Sequence, residues 1–278
     1  MQNSFALPVL KMLPVGLLAP HEDYDPRRVE RLGARLTEEA QLKNPPVVAE
    51  IPETGRFVVL DGANRVMAFQ FLGIPHIVAQ IVSYDDPAVT LETWHHVVCG
   101  IDWQQLLSEL EQIGGLEIGP CSQGAGRLAV TDGSAAAYMM NDHMTFKLAY
   151  RDHSQPGAMR MLHAIVQSYR GKADIIRASN DIWEIQKPCY PDISMLVVFR
   201  RLNPSDILEA GKNGVKIPSG LTRHVIQTRA LNINIPMSVL SADWTLECKR
   251  QWLEDWWKEK LAANSIRYYA ESTFSFNE

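Results

Sequence analysis

The sequence predicts a mixed α/β fold, with a compact first unit followed by a second α/β region. Three observations carry this. Short β-rich apolar runs and amphipathic helical stretches follow one another between residues 9 and 84 in the order β–α–β–β–α–β. Within that unit, "VVLDGANRVMAFQFLG" (58–73) passes from strand to helix through an Asp-Gly pair. Beyond glycine-punctuated passages at Gly114 and Gly124, strands and helices resume.

The opening apolar run, interrupted by Pro8, Lys11 and Pro14, reads as a strand; it lacks the basic start of a signal peptide and the length of a membrane span. "LLAPHEDYDP" is a turn-rich loop, and 26–40 carries Val29, Leu32 and Leu36 at helical spacing among charges. "NPPVVAEI", "RFVVL" and "HIVAQIVSY" read as strands, with a helix over 63–72 stopped by Gly73 and Pro75. From 87 to 111 the pattern is helix-compatible. "RLAVTD", "AAAYMM", "MTFKLAY" and "ISMLVVFRRL" read as strands, and "AMRMLHAIVQSY" and "NPSDILEAGKNG" as helices. A tail helix over 241–263 carries Trp244, Trp252, Trp256 and Trp257 at a spacing that suits packing. The expected units are 1–105, 106–240 and a tail, 241–278.

Composition narrows the function. The chain has 278 residues, 46% hydrophobic and 21% charged, with net charge −5, which suits a globular protein and disfavours one that lives by neutralising nucleic acid. Four scattered cysteines, Cys99, Cys121, Cys189 and Cys248, form neither a disulfide framework nor a zinc motif, and a reducing cytoplasm fits. His95 and His96, read as helical neighbours, point about 100° apart, which makes them poor joint metal ligands. "RHVIQTR" reads as a solvated basic face.

The chemistry concentrates at 58–73. Backbone N–H groups from Gly62 to Arg65 lie in a first helical turn, unpaired within the helix and at the positive end of its dipole. Gly62 removes the side chain that would hold an anion away, and Arg65 adds a planar fork of donors suited to phosphate. Asp61 beside a phosphate requires a metal or a transferable proton between them, and phosphoryl transfer supplies both. An ordinary Asp-Gly turn with Asn64 as a cap would look the same in isolation.

"DGANR" with the following "MAFQFLGIPHI" resembles the D-G-x-H-R-x-x-A-x-x-x-L-G signature of the ParB/sulfiredoxin-like superfamily. Three further stretches in matching order, "LLAPHED", "VTLETWHHVVCG" and "IPSGLTRHVI", resemble the free serine kinases of that superfamily, the last through its S-P-K-[ST]-T-R-H-V motif. The resemblance runs from about Leu10 to Ile226 and implies a ParB/sulfiredoxin-like first unit with the second region closing a cleft. It implies phosphorylation of free L-serine to O-phosphoserine, with Mg2+ and with ATP or ADP as donor, in siderophore or amino-acid biosynthesis. Glu22 would be the general base, and Asp61 a second essential acid at the metal or the hydroxyl. Gly62, Asn64 and Arg65 would hold the phosphate, Trp94 would lie near the amino-acid pocket, and Thr222, Arg223 and His224 would hold the acceptor. Three positions depart from the pattern: Asn64 replaces a histidine, Gly220 a lysine and Leu221 a hydroxyl residue. A catalytically degenerate ligand sensor or a nucleic-acid-binding regulator on the same scaffold is the alternative, and a homodimer is left open.

Overall fold

A computed structural model describes residues 7–269; the outermost parts of the first unit and tail, 1–6 and 270–278, lie outside the described residues. In chain order the elements are β1 (Val9–Pro14), β2 (Leu18–Pro20), α1 (Pro26–Glu39), β3 (Gln41–Leu42), β4 (Val47–Ile51), β5 (Arg56–Asp61), α2 (Ala63–Phe71) and β6 (His76–Val82). There follow β7 (Val89–Thr93), β8 (His95–Cys99), α3 (Trp103–Glu111), β9 (Leu116–Pro120), α4 (Gln123–Thr131), β10 (Ala135–Met140), β11 (Thr145–Tyr150) and α5 (Gln155–Tyr169). The chain continues through β12 (Asp174–Ala178), α6 (Trp183–Cys189), β13 (Ile193–Phe199), α7 (Pro204–Asn213), β14 (Thr222–Ile226), β15 (Ile235–Pro236), α8 (Met237–Ser241) and α9 (Leu246–Ala262).

The first sheet has the order β1-β6-β4-β5-β2 and is mixed, with β2 parallel to β5 and β4 parallel to β6. The second, β12-β8-β13-β10-β11-β9, is antiparallel throughout. Strand β5 shows why its sequence is an unbroken apolar run: Val58 and Leu60 enter a core shared with the second sheet, and Val59 enters one built with α1 and α2. Both faces are covered, so alternation disappears. The mixed α/β class agrees with the sequence reading.

Two local readings need correction. "RLAVTD" belongs to helix α4, whose start is fixed by the Ser122 side chain accepting from the Ala125 N–H; its three consecutive apolar residues are too few for periodicity to separate helix from strand. The 87–111 stretch contains β7 and β8 before α3 begins at the Asp102 cap. The β-branched Val89, Thr90, Thr93, Val97 and Val98 favour strands, so His95 and His96 alternate across a sheet. Asn203 caps α7 in a capping box with Asp206, and Gly214 ends it. Trp244 precedes the tail helix and is exposed, while Trp252 and Trp256 pack against the first core.

Candidate active site

The site begins with the register of two parallel strands. Leu18, Ala19 and Pro20 of β2 lie beside Phe57, Val58 and Val59 of β5. Glu22 and Asp61 each stand two residues beyond the last paired position, so both acids emerge at the carboxyl ends of neighbouring strands. Helices α1 and α2 start immediately afterwards, and their N-termini meet at this edge. The Asn64 side-chain oxygen accepts from the Asp25 N–H, joining the two starts. Crevices at strand carboxyl ends are where open α/β sheets bind ligands.

The two helix starts differ in the way that matters. Asp25 caps α1 with its own carboxylate, accepting from the Arg27 and Arg28 N–H groups. Gly62 caps α2 with no side-chain hydrogen bond, at φ +88°. The Ala63 and Asn64 amides therefore remain available to an anion. A Cβ on Gly62 would stand 2.8 Å from Arg65 Nη1, so glycine is what lets the guanidinium lie over the helix start. Arg65 Nη1 also donates to the Pro45 carbonyl at 3.3 Å.

The segment after α7 closes the cleft. Glu22 Oε2 accepts from the Gly220 N–H at 3.0 Å and Oε1 from the Thr222 N–H at 2.8 Å, with the Thr222 hydroxyl donating to Oε1 as well. A carboxylate offers about four lone-pair sites, which leaves room for one further donor on an acid already fixed in place. Beyond β14 the chain is gripped by the buried Gln80, which donates to the Thr228 carbonyl and accepts from the Ala230 N–H, both at 2.8 Å. That grip delivers Arg229 to Asp61 as an ion pair.

Histidines fill the floor. His21 donates from Nδ1 to the Val59 carbonyl, and its Nε2 lies 2.8 Å from the Thr222 hydroxyl oxygen. Burial lowers its pKa, opposed by the nearby Glu22 and Asp61 carboxylates. His224 Nε2 lies 2.7 Å from the Tyr84 hydroxyl, and burial, with His21 beside it, pushes its pKa down to about 3. At neutral pH His224 is therefore uncharged and holds the strand in place, rather than offering a cation to phosphate. Arg223 stacks on Trp94 at 4.6 Å and pairs with Glu92 at 3.0 Å.

Thus Glu22 sits with Thr222, Asp61 with Gly62, Asn64 and Arg65 around the α2 start, and Trp94 with Arg223 at the β7–β14 pairing. Sequence reasoning did not find Arg229, Tyr84, Gln80 or Glu92, and read the arginine as part of a solvated basic face. The only local hint is that Arg229 closes the short basic cluster 223–229 that opens in the T-R-H motif.

Two acids at adjacent strand ends, an uncapped helix start and a closing segment define a cleft of the α/β class whose free amides suit an anionic ligand. No family model matches the chain. Over 266 residues, 95% of this chain and 96% of the relative, it is 24% identical to the ATP-dependent L-serine kinase SbnI of Staphylococcus aureus. It is 33% identical to an ATP-dependent L-serine kinase of Staphylothermus marinus over 103 residues, which make up 37% of this chain and 40% of that protein. The solved C-terminally truncated SbnI superposes with TM-score 0.74 at 22% identity, covering 91% of this chain and 97% of that one. A free serine kinase in complex with AMP superposes with TM-score 0.70 at 18% identity, covering 86% and 98%. The chain shares its fold with SbnI and the solved free serine kinase, and it is similar in sequence to an L-serine kinase over nearly its whole length.

Proposed function

We propose that this protein transfers a phosphoryl group from ATP or ADP to the hydroxyl of free L-serine, forming O-phospho-L-serine and the shortened nucleotide. The observation that carries the reading is the pairing of Glu22 and Asp61 at the ends of adjacent parallel strands, with the uncapped start of α2 between strand and solvent. Glu22 receives the serine proton as the oxygen bonds to phosphorus, because an alcohol does not ionise at neutral pH. The Ala63 and Asn64 amides and Arg65 hold the transferring phosphoryl group where charge accumulates. Arg229 and Trp94 order the walls.

Asp61 is the residue that would hold Mg2+. A single carboxylate suits an ion carried mainly by nucleotide phosphates, and among the described residues no group of three His, Cys, Asp or Glu side chains could hold an ion alone. When bound, Mg2+ supplies positive charge to those phosphates. Among the described residues no helix is long and apolar enough to cross a membrane, and the substrates of this reading are small and polar.

The test is incubation with Mg2+, ATP or ADP, and a panel of hydroxy amino acids, with mass-spectrometric detection of the product. Phosphoserine supports the reading. Nucleotide binding without any phosphoamino acid would replace it with ligand sensing.

A further inference from the structure

The cations around the acceptor side of the cleft are mostly committed. Arg223 is paired with Glu92, Arg229 with Asp61, and Arg170 Nη2 donates to both the Ser219 carbonyl and hydroxyl at 3.0 Å. Arg177, on the edge strand β12 opposite His96, makes no side-chain hydrogen bond or ion pair within the described residues. It is nevertheless placed. Its Nε and Nη2 lie 3.0 Å from where a Cβ on Gly220 would stand, and Gly220 itself adopts φ +93°. The guanidinium therefore lies against the Gly220 backbone, in space that any larger residue would need. A lysine at 220, as in the family pattern, would collide with it; here the cation arrives from β12 instead.

Gly220 also donates its N–H to Glu22. The guanidinium consequently sits one peptide group away from the acid that receives the acceptor's proton. In serine only two carbons separate the hydroxyl oxygen from the carboxylate carbon, so a group gripping that carboxylate must stand close beside Glu22. An arginine fork matches a carboxylate in two parallel hydrogen bonds.

From this placement we infer that Arg177 binds the α-carboxylate of the acceptor amino acid, a role that rests on the serine-kinase reading and adds a specificity determinant to it. Arg170, locked to Ser219, strengthens the positive field on the same loop, and Gly220 is the residue that makes room.

Calorimetry with L-serine, L-serinamide and ADP separates the outcomes. Arg177→Ala should weaken L-serine binding by ~10- to 100-fold, the usual worth of a charge-assisted hydrogen bond, while ADP binding stays at the wild-type value. Arg177→Lys should recover part of the loss. L-Serinamide, which lacks the carboxylate, should bind wild type and Arg177→Ala equally. Unchanged L-serine affinity, an equal loss with L-serinamide, or a loss confined to ADP overturns the inference. Failure of the wild type to form phosphoserine overturns the kinase reading instead, and is read in a separate assay.

Discussion

Replacing Glu22 by Gln probes the centre of the mechanism, and the structure shows that the change is not silent. The carboxylate accepts from the Gly220 N–H, the Thr222 N–H and the Thr222 hydroxyl. A side-chain amide has one accepting and one donating end. With its oxygen toward Thr222, its NH2 group faces the Gly220 N–H; turned over, it faces both Thr222 donors. At least one backbone donor loses its partner, at about 1–3 kcal/mol, so Glu22→Gln should lose that much unfolding free energy and unfold at a lower urea concentration. Turnover should fall further, by roughly 10²- to 10⁴-fold, because the amide cannot receive the hydroxyl proton. Nucleotide affinity should hold, since the proposed phosphate subsite is formed by α2. Initial rates of phosphoserine formation, urea titration and ADP calorimetry measure the three quantities. A folded variant that turns over within about threefold of wild type would refute Glu22 as the base, a threshold far below the expected loss.

Further outcomes follow from neighbouring geometry. Arg65→Ala should weaken ADP binding by about 1.5–3 kcal/mol in calorimetry, the value of a hydrogen bond to a charged group; unchanged affinity would remove the phosphate from α2. Gly62→Ala should cost about 1–2 kcal/mol of stability for its left-handed backbone and also weaken ADP binding, because the new methyl meets Arg65 Nη1. His96 is pushed down to about 3, first by burial, with Arg177, Arg170 and His95 also opposing its charge and the Gly220 carbonyl favouring it. Between that value and the ordinary histidine value of about 6.5 the unfolded chain binds the extra proton, so stability should fall as pH drops through this window. The slope should approach about 1.4 kcal/mol per pH unit from His96 alone. Urea midpoints at several pH values measure the slope, and a ring resonance of His96 titrating near neutrality in the folded protein would refute it.

The half of the candidate site proposed to hold phosphate was legible in the sequence because it is local. Strand, Asp61-Gly62 turn, helix start and Arg65 span a few residues, and the need for glycine at a left-handed cap and for uncapped amides is imposed by backbone chemistry alone. The same locality made α1 and α7 readable. It failed where patterns were short: in α4, where three apolar residues serve either period, and across β7 and β8, whose strand character comes from pairing with β14, β12 and β13. The half proposed to hold the acceptor was decided by tertiary structure. Glu22 meets Gly220 across 198 residues and Asp61 meets Arg229 across 168, separations over which no periodicity or cap leaves a trace. The T-R-H motif marked the returning segment by resemblance, but only folding showed that Arg223 is taken by Glu92, that His224 is half-buried against Tyr84 with its pKa pushed down, and that Arg177 fills the space beside Gly220. A sequence encodes which hydrogen bonds and packing faces each segment requires of itself. Which distant side chain meets those requirements depends on how the sheets and loops come together, because that closure is selected by the total burial and pairing of the whole chain.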